Sequence, residues 1–145
     1  MVNKSGDALR PLSEEECLQL LASHGIGRIG TSVRALPAVF PVNYVLHQGQ
    51  IVFRISPGSE LAEATRDAVV AFEIDGADTL AHEGWSVLVV GRASQDAPTD
   101  AQDEQHRIRL TPWAGGDRDV FVRVPLDLIS GRRISRSGSF DPMPL

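Results

Sequence analysis

An antiparallel β fold, closed into a barrel or a sandwich, is what this sequence predicts, on three observations. Six segments rich in Val, Ile, Phe and Tyr alternate apolar and polar residues with a period of two: 26–32, 35–48, 50–56, 68–75, 84–94 and 118–129. Close turns separate them, with His47-Gln48-Gly49-Gln50 reading as a tight hairpin. The chain has 145 residues, 42% hydrophobic and 23% charged, which suits one domain with a modest core and leaves no room for a second. A small sheet of that many strands hides its apolar face by curling onto itself or stacking.

The elements follow in order. Residues 1–12 read as a flexible leader. Ser13-Glu14-Glu15-Glu16 matches a capping box, and Cys17, Leu18, Leu20 and Leu21 give the helix behind it an apolar stripe that ends at Gly25. The folded domain is expected over 13–134, with the strands above as its body. Within it, 98–111 (PTDAQDEQHRIRL and the following Thr) is polar with sparse apolar positions and reads as a surface helix before Pro112. Residues 135–145 are rich in Ser, Gly and Pro and read as a flexible tail.

Composition excludes several functions. A net charge of −5 argues against broad binding to nucleic acid or to an anionic membrane, since both need a basic surface. Lys4 is the only lysine and lies in the leader, which removes Schiff-base chemistry with pyridoxal phosphate. Cys17 is the only cysteine, so no intrachain disulfide forms, and its place on a helix stripe makes it a core residue; a reducing cytoplasm suits this usage. His24, His47, His82 and His106 stand singly, without a second ligand at metal spacing, so no metal is expected. Asp75 and Asp78 read as a solvated acidic turn. No signal peptide or membrane span is expected.

Chemistry concentrates in FRISPGSEL, residues 53–61. Ser56 is placed as a helix N-cap with Pro57 at the first helical position, leaving the amides of Gly58, Ser59 and Glu60 exposed beside Arg54. That turn is either an anion site suited to phosphate or a plain strand-to-helix connection. In VFPVNYV, alternation sends Phe40, Val42 and Tyr44 to one face and Val39, Pro41 and Asn43 to the other, and Pro41 marks an edge, a bulge or backbone facing a ligand. Trp85 and Trp113, near strand ends, can wall a planar heterocycle, cap a core or fill a dimer interface. A barrel this small with such residues leaves an apolar face that a second copy covers.

Taken in order, FPVNY, FRISPGSEL, VVAFEID, GWSVLVVGRA, TPWAGG and VRVPLDLISGRRI resemble the flavin-binding split-barrel proteins related to pyridoxamine 5'-phosphate oxidase, from about Leu12 to Ile134. The resemblance implies a mainly β fold: a six-stranded antiparallel split β-barrel with short flanking helices, homodimeric, with FMN, or in some branches an 8-hydroxy-5-deazaflavin coenzyme, in a groove between subunits. It further implies that Val42, Asn43 and Tyr44 run beside the flavin ring, that Arg54, Ile55, Ser59 and Glu60 surround its phosphate, that Trp85 and Ser86 begin a strand reaching the flavin, and that Trp113 comes from the partner subunit. Relatives commonly carry Lys where this chain has Glu60, and a hydroxyl residue where it has Ile55. A carboxylate roughly 6 Å from a phosphate repels it by roughly 1 kcal/mol, which weakens the site. The function implied is a flavin-dependent oxidoreductase acting on a small molecule; a non-catalytic flavin or deazaflavin carrier and a vestigial barrel are the alternatives. Oxidation of pyridoxamine phosphate itself is not expected, because no second basic cluster is visible for a second phosphate.

Overall fold

In the computed structural model, residues 8–96 and 120–135 are described, and they form eight strands and two helices: β1 (Ala8–Pro11), α1 (Glu14–Ser23), β2 (Ile26–Val33), β3 (Leu36–His47), β4 (Gln50–Ile55), α2 (Glu60–Ala64), β5 (Ala68–Asp78), β6 (Glu83–Gln95), β7 (Val120–Pro125) and β8 (Leu128–Ser135). The sheet runs β1-β8-β6-β5-β2-β3-β4-β7, and β7 returns to β6. Strands β6, β5, β2, β3, β4 and β7 therefore close a six-stranded antiparallel barrel, and β8 with β1 is a two-stranded extension on β6.

β6 serves two partners because it is long. Its first part, Gly84–Val90, pairs with β8, and Ser94 and Gln95 pair with β7. Gly91 lies where the strand passes from one neighbour to the other, and a Cβ there would run into the carbonyl oxygen of Pro125. Only glycine lets the two backbones approach so closely.

The core fills the barrel. Ile29, Phe53, Phe72, Val87, Val89, Val122 and Val124 are fully buried there. α1 closes one end with Cys17 and Leu21, and its capping box is formed: the Ser13 hydroxyl accepts from the Glu16 amide at 3.1 Å and the Glu16 carboxylate accepts from the Ser13 amide at 3.2 Å. Those bonds hold the Glu16 carboxyl below its usual range. Burial raises the Cys17 thiol and keeps it protonated, as a core residue should be.

Two boundaries differ from the sequence reading, and one turn is absent from it. Residues 8–11 pair with β8 as β1, Ala8 opposite Ser135 and Pro11 opposite Arg132, where the sequence suggests a leader. The single segment read over 118–129 is two strands in its described part, because Pro125 ends β7 and β8 starts again at Leu128. Finally, β2 and β3 join through Arg34 and Ala35, both at positive φ (50° and 66°), in a two-residue turn without glycine. The hairpin at Gln48-Gly49 is as expected, with His47 opposite Gln50. The surface helix read over 98–111 and nearly all of the C-terminal tail lie outside the described residues. Among the described residues no helix is long and apolar enough to cross a membrane.

Candidate functional site

The barrel splits between β3 and β4. Their ladder runs from His47–Gln50 to Tyr44–Phe53 and stops there. From Asn43 back to Leu36, β3 is paired with β2 alone among the described strands. Arg54 and Ile55 stay with β7, opposite Phe121 and Val120, while the chain turns through 56–59 into α2. α2 then bridges to β2, where the Thr31 hydroxyl donates to the Ala64 carbonyl at 3.5 Å. This accounts for Pro41: it sits in the half of β3 that behaves as an edge.

Of the residues expected around a cofactor, seven lie along this split: Val42, Asn43, Tyr44, Arg54, Ile55, Ser59 and Glu60. Val42 is buried, and Tyr44 is a core residue whose hydroxyl donates to the Leu21 carbonyl of α1 at 2.8 Å and whose ring meets Phe72 edge-on at 4.7 Å. Burial pushes its phenol up to about 12. Ile55 is also in the core. Of the three β3 positions, Asn43 alone faces outward, half-buried. Arg54 lies 5.9 Å above the Phe121 ring.

The turn itself is built differently from the sequence expectation. Ser59, not Ser56, is the N-cap: its hydroxyl accepts from the Ala62 amide at 3.1 Å and donates to the Ser56 carbonyl at 2.8 Å. The Ser59 amide reaches the same carbonyl at 3.3 Å, and Gly58 has φ +78°, so Pro57-Gly58 forms a turn that cannot be helical. The Glu60 carboxylate accepts from Arg34 at 3.0 Å, across the mouth of the split. Sequence reasoning missed Arg34, because Arg-Ala lacks the Gly or Asn that marks such a turn.

Trp85 and Ser86 are elsewhere. They begin β6, whose other end lies beside α2, where Gln95 donates to the Ala62 carbonyl at 2.6 Å. Ten residues of strand, roughly 33 Å, separate the two ends. Neighbours on a strand point to opposite faces, and here Ser86 shares the outer face with Asp75 and Arg132, while Trp85 turns to the face with Gly76 and Arg133. Its ring meets His24 at 4.9 Å. Trp113 lies outside the described residues.

The outer face of β3, β2, β5, β6 and β8 carries an apolar row of Val39, Gly30, Ala71, Val90 and Leu128. Val39 and Leu128 are each 67% exposed, so nothing among the described residues covers the ends of that row. Beside it, Arg28 donates to Glu73 and to Asp75, both at 2.9 Å. Burial, then the neighbouring Asp75, raises the Glu73 carboxyl, and Arg28 only partly offsets this. Among the described residues no group of His, Cys, Asp and Glu could hold a metal ion.

The split thus combines an unpaired strand edge, a polar Asn43 and two cations, Arg34 and Arg54. Its chemistry fits a planar heterocycle with hydrogen-bonding edges and an anionic tail, which is what a flavin nucleotide presents.

Comparison with known proteins agrees with this architecture. The pattern of the pyridoxamine 5'-phosphate oxidase family matches residues 13–133. The chain belongs to that family. It is 32% identical over 128 residues to the uncharacterized protein Rv0080 of Mycobacterium tuberculosis, covering 85% of this chain and 84% of the relative. Among solved structures it resembles the FAD binding protein from Mycobacterium smegmatis, at 35% identity and TM-score 0.72 over 86% of this chain and 97% of the other. An FAD-binding protein from Mesorhizobium loti shares the fold at 24% identity and TM-score 0.69, over 86% and 97% of the two chains.

Proposed function

We propose that this chain binds a flavin nucleotide in the split between β3 and the 54–60 segment, as one half of a homodimer, and serves as an oxidoreductase for a small molecule. The observation that carries the reading is the edge of β3 over 36–43, which among the described strands is paired on its β2 side alone, facing a turn flanked by Arg34 and Arg54. A bound flavin supplies hydride or electron transfer. The chain's own residues bind and orient it: Asn43 and the neighbouring backbone hydrogen-bond the ring edge, and Arg34 and Arg54 balance the phosphate charge. Glu60 holds Arg34 in place, so its carboxylate acts as a counter-ion to that arginine and its repulsion of phosphate is largely offset.

The dimer reading rests on the outer apolar row. A face with two residues 67% exposed at its ends is of the kind that a second copy covers, and small Gly30 and Ala71 at its middle allow close approach. Ser86, on that same face, then belongs beside the partner's split. The likeness to an FAD binding protein at 35% identity favours FAD over FMN and over a deazaflavin. A carrier without turnover is the second reading, favoured by one observation: among the described residues the split brings together no His or Cys, and the Glu60 carboxylate is tied to Arg34.

The test is the purified protein itself. Yellow colour with stoichiometric flavin, released by heat and identified by chromatography, and a dimer mass by light scattering are the expected results. A protein that stays colourless after dialysis against FMN and against FAD overturns the binding, and a monomer at micromolar concentration overturns the dimer. Reduction of the bound flavin by NADPH and its reoxidation by an acceptor separate oxidoreductase from carrier.

A further inference from the structure

At the far end of β6 a pocket of about 370 Å³ lies between the C-terminal end of α1 and the β5–β6 hairpin, lined by His24, Gly76, Asp78, Glu83, Trp85 and Arg133, among others. That volume is at the small end of the range for ligand sites and suits one substituted ring. Trp85 forms its wall, fixed by His24 at 4.9 Å and by Gly76, where a Cβ would come within 2.6 Å of the indole nitrogen. The pocket opens on the face of β6 opposite Ser86 and is independent of the flavin reading.

Two electrostatic deficits face each other in it. Among the described residues the buried Nε of Arg133 has no hydrogen-bond partner, a costly state that an anion at this pocket-lining guanidinium would relieve. Nearby Glu16 feels its charge, but that carboxylate already accepts from the Ser13 amide and lies 3.8 Å from Arg10. One pleat away, Asp78 and Glu83 stand directly opposite each other across β5 and β6, and like charges so placed repel. A cation between them would remove that cost. Asp78 is held in position because its Oδ1 accepts from the Leu80 and Ala81 amides at 3.0 and 3.1 Å. The Asp78–Glu83 row and the Gly76–Trp85–Arg133 row are two residues apart along the strands, roughly 7 Å, about the length of one substituted benzene ring.

We propose that this pocket binds a small aromatic amino acid-like zwitterion, with its ring against Trp85, its carboxylate on Arg133 and its amino group toward Asp78 and Glu83. A stacked ring and a charge-assisted bond to a guanidinium are the contacts this geometry offers.

The probe is 4-(aminomethyl)benzoate, a zwitterion at neutral pH, titrated by calorimetry into the full chain, with benzoate and benzylamine as single-charge controls. We expect 4-(aminomethyl)benzoate to bind more tightly than either control. Arg133→Gln should weaken 4-(aminomethyl)benzoate and benzoate by about tenfold or more and leave benzylamine unchanged. Gly76→Ala should push the indole into the pocket and weaken all three, with near-ultraviolet circular dichroism reporting that the chain is folded. Should Gly76→Ala fail to fold, Arg133→Gln decides alone, since it breaks no hydrogen bond made by Nε. Excess FMN or FAD should not alter the affinity. Absence of 4-(aminomethyl)benzoate binding at millimolar concentration, an unchanged affinity in Arg133→Gln, or competition by flavin each overturns the proposal; neither of the first two bears on whether flavin occupies the split.

Discussion

Arg123 and Arg133 stand beside opposite ends of the same strand, and the molecule treats them in opposite ways. At the closing seam of the barrel, Arg123 on β7 donates through Nε to both oxygens of Asp96 at 3.0 and 2.9 Å, with both side chains below a fifth exposed. At the open end, Arg133 on β8 has a buried Nε without a partner among the described residues, beside a pocket. The seam uses its polar groups to fix register, because only two residue pairs join β6 to β7 there. The splayed end has seven pairs to β8 and needs no such lock, so its polar groups remain available to something else.

The largest expected effect is at the point between the two ends. Gly91→Ala forces a methyl group onto the Pro125 carbonyl, and because that obstacle is backbone it cannot swing away. We expect a loss of more than about 3 kcal/mol in urea unfolding, or no folded protein at all. A loss below about 1 kcal/mol would mean that the seam is not pinned there.

Next comes alkaline pH, acting on the link between α1, which carries His24 over the open end, and the barrel. Tyr44 is the only tyrosine, so its titration can be read from tyrosinate absorbance without ambiguity. Its folded pKa is raised from 10.0 to about 12 by burial. The native state therefore keeps the proton where the unfolded chain loses it. This contribution is complete below pH about 10 and is lost as pH rises through about 12, roughly 2–3 kcal/mol in all. Tyrosinate should appear together with unfolding near the upper value; ionisation near pH 10 in a folded protein would contradict the buried bond to Leu21.

The smallest effect tests the comparison itself. Arg123→Ala leaves Asp96 partly buried and unpaired and should cost about 2–3 kcal/mol, whereas Arg133→Gln should change stability by no more than about 0.5 kcal/mol. Equal losses in the two denaturation curves would erase the distinction between seam and open end.

How much of this the residues announce depends on whether the signal is local. The capping box at Ser13–Glu16 and the Gln48-Gly49 turn are readable because their chemistry lies within four residues. The six barrel strands are readable by alternation. β1 is not, since its partner β8 lies more than a hundred residues along the chain and four residues carry no period. Ser56 reads as a cap because Pro commonly follows a cap, but the glycine after it prefers a left-handed turn and moves the cap to Ser59. The split is legible in the sequence as a neighbourhood rather than as contacts: Val42, Asn43, Tyr44, Arg54, Ile55, Ser59 and Glu60 lie along it, yet Val42, Tyr44 and Ile55 turn inward, and Arg34 comes from a strained hairpin that no composition rule marks. Trp85 and Ser86, adjacent in sequence, belong to opposite faces of β6, a separation the period of two already contains.

The open end of the sheet finishes in β1, four residues long, with exposed Arg10 and then Pro11. Proline cannot donate to a further strand, and an exposed arginine makes addition of one unfavourable. The other long border is sealed by the return of β7 to β6. At these two rims the sheet is thus closed to growth strand by strand, and its exposed apolar row, not its borders there, is the surface left open to association.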